Sequence, residues 1–182
     1  MFYCGVGLGI CRMMLAILDA TTSIVCIGGL ISRPFKDTLG VREGAVESPH
    51  AFNIYVSDLR AYIENTHPRL CRLLGFAVAV ILYADDAAFP ADSAEDLQIA
   101  ASLFGEFCND NHLYISVPKT FVTVFHHAAD NGVTYSGEEV FVDDNKVEIY
   151  IYGQLIAATS TFKYLGVVFD GCGSGRQPLL NS

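Results

Sequence analysis

The chain is short of positive charge. Eleven lysines and arginines stand against twenty aspartates and glutamates, so the formal net charge is −9 over 182 residues. A surface of that sign repels phosphate and makes the chain, by its own electrostatics, a poor binder of nucleic acid. Paired cysteine spacings are missing too. The six cysteines (Cys4, Cys11, Cys26, Cys71, Cys108 and Cys172) include no C-x-x-C pair, so nothing signals a zinc site. Their wide spacing in a chain with ample core material reads as reduced, mostly buried thiols of an intracellular protein.

Long uninterrupted hydrophobic runs are absent. Phe2–Leu18 is apolar, but Arg12 sits in its middle, no positive segment precedes it and no small-residue cleavage site follows. Leu73–Ala84 is too short to span a bilayer and Asp85 ends it. The expectation is no targeting segment, no membrane, and a place in the nucleus or cytoplasm. There is no internal repeat and no linker long enough to divide the chain. Hydrophobic residues make up 52% and charged residues 17%, which excludes a largely disordered chain. The length suits one domain with a real core and with much surface meant to be covered.

Leu8, Cys11, Leu15 and Leu18 recur at helical spacing and predict a helix from about Val6 to Asp19. Thr21–Gly28 favours a strand that Gly28-Gly29 closes with a turn. Gly40-Val41-Arg42-Glu43-Gly44 is a glycine-bounded loop with one cation. Ser48 as N-cap and Pro49 at the first position then open a helix that runs to about Glu64. Ser93 caps a second helix with Glu95 and Asp96 in its first turn, and Asn109–His112 ends it. Phe52, Tyr55, Leu97 and Phe104 are expected to be buried where the two helices pack.

Leu113–Val117 and Phe121–Phe125 read as strands around Pro118-Lys119-Thr120. His126-His127 points to opposite faces of a strand end and makes no ligand pair. Val140–Val142 and Val147–Tyr152 are strand-like, with Asp143-Asp144 in a solvated polar turn between them. Leu155–Ala158 and Phe162–Phe169 read as a hairpin, and the Gly- and Ser-rich residues 171–182 as a flexible tail.

The chain is organised around Val78–Ala91. An apolar, β-branched run reaches Asp85-Asp86 and turns apolar again, which reads as strand, tight acidic turn, strand. Two carboxylates at the end of a core strand are costly to bury without a compensating cation. Hard oxygen donors suit Mg²⁺, which takes one or two carboxylates and completes its shell with water and phosphate. The plainer reading is a solvated hairpin tip.

The order of these pieces carries more than any of them alone. A glycine loop with a Ser-Pro helix, a Tyr83-Ala84-Asp85-Asp86 hairpin, a capped helix, a Lys119-Thr120 segment and Tyr164-Leu165-Gly166 together resemble the palm of a reverse transcriptase. The likeness is to the non-LTR (LINE-type) retrotransposon enzymes and covers about Gly5 to Asp170. It implies an α+β fold: an incomplete polymerase palm, an antiparallel sheet with helices on one face, and a C-terminal β-hairpin.

Gly40–Asn53 is similar to the family's motif B, which places Arg42, Gly44 and Ser48 at template and incoming nucleotide. Ile81–Asp86 is similar to motif C, which makes Asp85 and Asp86 metal-binding and catalytic, with Tyr83 under the primer end. Leu113–Phe125 is similar to motif D, in which Lys119 neutralises or protonates pyrophosphate. Phe162–Val167 is similar to the primer-gripping segment and assigns Tyr164, Leu165 and Gly166 to it.

The implied cofactor is Mg²⁺ or Mn²⁺. The implied partners are an RNA template, a DNA primer and deoxynucleoside triphosphates. Glu43 stands where the family usually has Gln, Glu47 and His50 where it has apolar residues, and Pro90 sits in the second hairpin strand. The acidic motif A strand is not in the chain and is expected upstream of residue 1, with the basic fingers. Two other readings compete: a catalytically dead α/β scaffold or interaction module, and a secreted disulfide-bonded protein.

Overall fold

The computed structural model describes residues 7–36, 40–41, 44–46, 48–66, 71–73, 75–126, 132–164 and 167–171. Arg42, Glu43, Glu47, His127, Leu165, Gly166 and residues 172–182 lie outside the described residues. Helices and small sheets are mixed, as an α+β fold requires. Among the described residues there are eight small sheets, seven of two strands and one of three, in place of one continuous antiparallel sheet. Two compact units are formed, one from Met1–Ala61 with Leu82–Ala87, the other from Tyr62–Ile81 with Ala88–Ser182. Among the described residues no helix is long and apolar enough to cross a membrane.

In the first unit, α1 (Leu8–Ala20) forms where the spacing predicts it, but a different face is covered. Cys11 and Met14 are buried, whereas Leu8 and Leu15 are 47% and 58% exposed. Arg12 and Asp19, seven residues apart, mark one polar side of the helix, and the buried Met14 lies nearly opposite them, off the stripe that the leucines suggest. Cys26–Ile27 pairs with Leu30–Ile31 across Gly28-Gly29. Both glycines have positive φ (57° and 84°), the left-handed pair that a two-residue hairpin turn needs. The expected single strand over Thr21–Gly28 is broken in two, because Thr22-Ser23 pairs separately with Phe35-Lys36. Ile27 and Leu30 remain 73% and 80% exposed, so this unit does carry apolar surface to be covered.

The helix expected over Ser48–Glu64 is two helices, α2 (Ser48–Tyr55) and α3 (Asp58–Thr66). The Ser57 hydroxyl donates to the Ile54 carbonyl at 2.7 Å and competes with the helical ladder there. Asp58 restarts the helix with an acid in its first turn. The break leaves Tyr55 half exposed, not buried as its spacing suggested, and Phe52 only partly covered.

The second unit is built on α4 (Ala94–Asp110). The Ser93 hydroxyl accepts from the Asp96 N–H and donates to the Asp96 carboxylate, a reciprocal start of the kind its sequence signals. The far end closes as a Schellman motif. The Leu113 N–H reaches the Cys108 carbonyl and the His112 N–H reaches that of Asn109, with His112 at φ 52°. The buried side of α4 packs Ala101 and Cys108 against Ile115, Val122, Ile149, Ile151 and Ile156, with Leu97 and Phe104 partly covered at the margin.

Leu113–Val117 is not a strand. It runs irregularly into a single 3-10 turn, Val117–Lys119, where Pro118 has no N–H to give a ladder. Phe121–Phe125 keeps only two strand residues, Phe121-Val122, and they pair in parallel with Ala157-Ala158. The expected hairpin of Leu155–Ala158 with Phe162–Phe169 is likewise replaced. Gln154-Leu155 folds back on Tyr150-Ile151, and Thr161–Tyr164 pairs with Val167–Asp170. Asp143-Asp144 does form a polar turn, exposed and with positive φ at both residues.

Gly171 ends the last hairpin against the unit. Its N–H donates to Ser160 and its carbonyl accepts from His126, each at 2.8 Å. A Cβ at Gly171 would sit 2.6 Å from the Val124 carbonyl oxygen, which only glycine avoids. The Tyr135 hydroxyl holds that same Val124 by accepting from its N–H and donating to its carbonyl, at 2.9 and 3.1 Å.

Four cysteines are described and all are free: Cys11 and Cys108 buried, Cys71 half-buried and Cys26 exposed. No disulfide joins these four. Burial pushes the Cys108 thiol from 9.0 up to about 11. In the unfolded chain this thiol ionises near 9, in the folded chain near about 11. The fold's preference for the neutral thiol is therefore harmless below pH ~9 and costs stability progressively as pH rises toward ~11. Urea unfolding is expected to show about 1 kcal/mol less stability at pH ~10 than at pH ~8 from this group, and Cys108→Ala should flatten that slope. An unchanged slope in the variant would assign alkaline sensitivity to another group.

Candidate functional site

The acidic pair sits at the tip of a two-stranded hairpin, Ile81–Tyr83 with Asp86–Ala88. The turn is Ala84-Asp85. Ala84 is left-handed at φ 50°, a conformation that costs an alanine roughly 1 kcal/mol relative to glycine. The hairpin therefore carries mild backbone strain where it presents its carboxylates. Asp85 lies in the turn and Asp86 begins the return strand, and both are exposed. Burial cost is thus not what demands a cation here, contrary to the expectation drawn from the apolar run. Tyr83, just before the turn, is 59% exposed.

The pair offers hard oxygen donors at one solvent-facing tip, which fits one or two of the carboxylate positions that Mg²⁺ takes. It does not make a complete cage. Among the described residues no group of three or more His, Cys, Asp or Glu could hold a metal ion. Asp143-Asp144, the other acidic turn, belongs to the second unit and is equally exposed.

The loop before α2 behaves as its glycines suggest. Gly40 and Gly44 have φ of 84° and 78°, and a Cβ at either would meet open space. Substitution there would cost backbone strain without steric clash. The Ser48 N–H donates to the Ala45 carbonyl at 3.2 Å and starts α2, and Pro49 follows where its missing N–H is harmless. Ser48 is 7% exposed, a buried polar residue at that helix start. Gly44, Ser48, Tyr83, Asp85 and Asp86 all fall in the first unit.

Lys119 and Tyr164 fall in the second unit. Lys119 is exposed at the end of its 3-10 turn. Spacing gave no hint of what fixes that turn. The Lys119 N–H donates to the Ser116 carbonyl at 2.9 Å, and the Thr120 hydroxyl donates to the same oxygen at 3.0 Å. Val117, partly buried, anchors the turn against the hydrophobic core of the unit. Tyr164 is half-buried on the last hairpin, and its buried phenolic oxygen has no hydrogen-bond partner among the described residues. An unpaired buried hydroxyl costs about 1–3 kcal/mol.

Comparison with known proteins gives two findings. The family described as reverse transcriptase (RNA-dependent DNA polymerase) matches residues 10–169. A similar protein is the retrovirus-related Pol polyprotein from type-1 retrotransposable element R2 of Popillia japonica, 26% identical over 172 residues. That alignment takes in 93% of this chain and 27% of the polyprotein, so the chain spans about a quarter of its relative's length.

Proposed function

The chain belongs to the reverse transcriptase (RNA-dependent DNA polymerase) family, in the form carried by non-LTR retrotransposable elements, and from that premise we propose that it is a polymerase palm segment. The reaction it serves is addition of deoxynucleotides to a primer on an RNA template. The observation that carries this reading is the solvent-facing Asp85-Asp86 hairpin tip, which in sequence follows the glycine loop before α2 and precedes the Lys119 turn, the order of the family's motifs.

Asp85 and Asp86 are the residues that would hold a divalent ion. When bound, such an ion supplies charge that activates the primer 3′-hydroxyl and steadies the departing pyrophosphate. The left-handed Ala84 turns the chain just before the acidic pair, which stays exposed. Tyr83 offers an exposed ring beside them for the primer end. Gly44 and Ser48 shape the loop and helix start facing template and nucleotide, with Arg42 as its cation. Lys119, held by the Thr120 hydroxyl and the Ser116 carbonyl, presents an ammonium for pyrophosphate. Tyr164, with Leu165 and Gly166, grips the primer strand.

The acidic balance of the chain accords with a cation-binding palm whose phosphate contacts come from other segments. Residues 1–170 are proposed as that palm and 171–182 as a tail. An interaction module without catalysis is the alternative, and metal binding separates the two. Mn²⁺ titration by calorimetry is expected to give weak saturable binding that Asp85→Asn reduces by about tenfold, since one of two charged donors becomes neutral. Identical titrations for wild type and Asp85→Asn would remove the metal role and favour the module.

A further inference from the structure

The three-stranded sheet of the second unit runs Val133–Ser136, Glu139–Val142 and Asn145–Val147, with Asn145–Val147 at one edge. That edge continues toward Tyr150, and there it meets α4. The Gln98 side chain donates its amide N–H to the Tyr150 carbonyl at 3.0 Å and accepts from the Tyr150 N–H at 2.8 Å. One side-chain amide thus makes both bonds that a neighbouring strand would make. On the opposite side the Ile149 carbonyl accepts from the Ile156 N–H at 2.8 Å, so alternate residues face alternate edges. Tyr150, Glu148 and Lys146 therefore turn their main-chain groups toward α4, and Gln98 takes only the first. Among the described residues none bonds the main chain of Glu148.

A groove of about 410 Å³ lies along this stretch. Glu95, Gln98 and Ile99 form one wall; Lys146, Val147 and Glu148 form the other. Ile99, 38% exposed, and Val147 supply apolar floor. The charge is acidic. Lys146 is already engaged, with its ammonium 2.7 Å from Glu139 and 2.8 Å from Glu148. Glu148 is kept ionised by Lys146 and by the Tyr150 hydroxyl. Glu95 adds a further carboxylate on the helix wall.

We propose that this groove is a docking site for an extended basic peptide segment of a partner protein, which adds as a strand to the Lys146–Glu148 edge where the Gln98 amide leaves off. A sheet edge beside a helix takes peptides through main-chain bonds, with alternate side chains entering the groove. Apolar side chains would meet Ile99 and Val147, and the intervening lysines or arginines would meet Glu95 and Glu148. A phosphate-bearing strand would meet carboxylates instead, so nucleic acid does not suit this edge.

The test is titration of the full chain with a capped hexapeptide of alternating lysine and valine, read by calorimetry. Saturable binding is expected, and replacing lysine by glutamate should abolish it. In an extended peptide all valine amides face one edge and all lysine amides the other. N-methylation of one set should weaken binding at least tenfold, while methylation of the other set leaves it within about twofold. Glu95→Lys, on an exposed site whose helix content circular dichroism can verify, should weaken it at least tenfold. Hydrogen exchange at the Glu148 amide should slow on binding. Equal effects of the two methylated peptides, no effect of Glu95→Lys, or tight binding of the glutamate peptide would overturn the proposal.

Discussion

RNA-templated primer extension by the 182-residue chain alone is expected to give no product, in Mg²⁺ or in Mn²⁺. Two-metal phosphoryl transfer needs ligands from more than one strand, so that two ions sit roughly 3.5–4 Å apart. The Asp85-Asp86 tip supplies one strand's worth, and no described cluster of three potential ligands completes it. Both carboxylates are exposed, so water competes for whatever ion they hold. Losing one preorganised charge stabiliser costs a factor of about 10²–10³ in rate. A chain with net charge −9 also repels an RNA template and a DNA primer. These losses compound, and activity should fall below detection. Asp85→Ala is the control. Extension by the wild type that vanishes in Asp85→Ala would refute this, and would mean that some other acidic residue of the chain, Glu43 and Glu47 being the first to test, supplies the second ligand set.

Phe162→Ala is expected to detach the last hairpin without unfolding the core of its unit. A two-stranded hairpin is marginal in water unless something packs on it. Here the packing is aromatic and Phe162 is its centre. Its ring stacks on Phe169 at 5.2 Å and 15°, and lies 5.3 Å from Phe121 and 6.0 Å from Phe125. The Phe162–Phe169 pair is also directly cross-strand in the register. Truncation removes all three ring contacts, and the residue is only half-buried, so the cost should be about 2–4 kcal/mol. Amide protection over Thr161–Tyr164 and Val167–Asp170 should drop by a factor of about 30–1000, while Ala101–Cys108 on α4 should keep its protection. Phe162→Leu should recover most of it. Equal loss across both segments would show that the hairpin is part of one cooperative unit. No loss would show that the main-chain ladder and the Gly171 clasp suffice. Because Tyr164 rides on the same hairpin, primer contacts assigned to it depend on this cluster.

Local chemistry is legible in the sequence by itself. Gly28-Gly29 demands a left-handed turn because only glycine enters that region freely. Ser93 with Glu95 and Asp96 marks the start of α4, and Asn109–His112 marks its end, because caps satisfy groups within a few residues. The acidic hairpin tip at Asp85-Asp86 and the polar turn at Asp143-Asp144 follow from the break each pair makes in an apolar run. The order of these pieces points to the family, and the matched span of residues 10–169 agrees with it.

Only the tertiary structure decided which segments pair and which faces are covered. Phe121-Val122 finds its parallel partner in Ala157-Ala158, far along the chain, and no alternation in either stretch encodes that choice. Leu113–Val117 has a strand's composition but no partner strand among the described residues, and Val117 and Pro118 settle into a 3-10 turn instead. The spaced stripe of α1 named Cys11, which is buried, but also Leu8 and Leu15, which are exposed, and it passed over the buried Met14. The Ser48–Glu64 stripe carried through Ser57, but the side-chain bond from Ser57 to Ile54 cut it in two. Gln98 has the pattern of an ordinary helix residue, and only the edge at Tyr150 gives its amide both partners. A cap or a turn is set by neighbours in sequence. A strand partner, a buried face or a side chain standing in for a strand is set by whatever the rest of the chain brings alongside, and that competition is resolved only on folding.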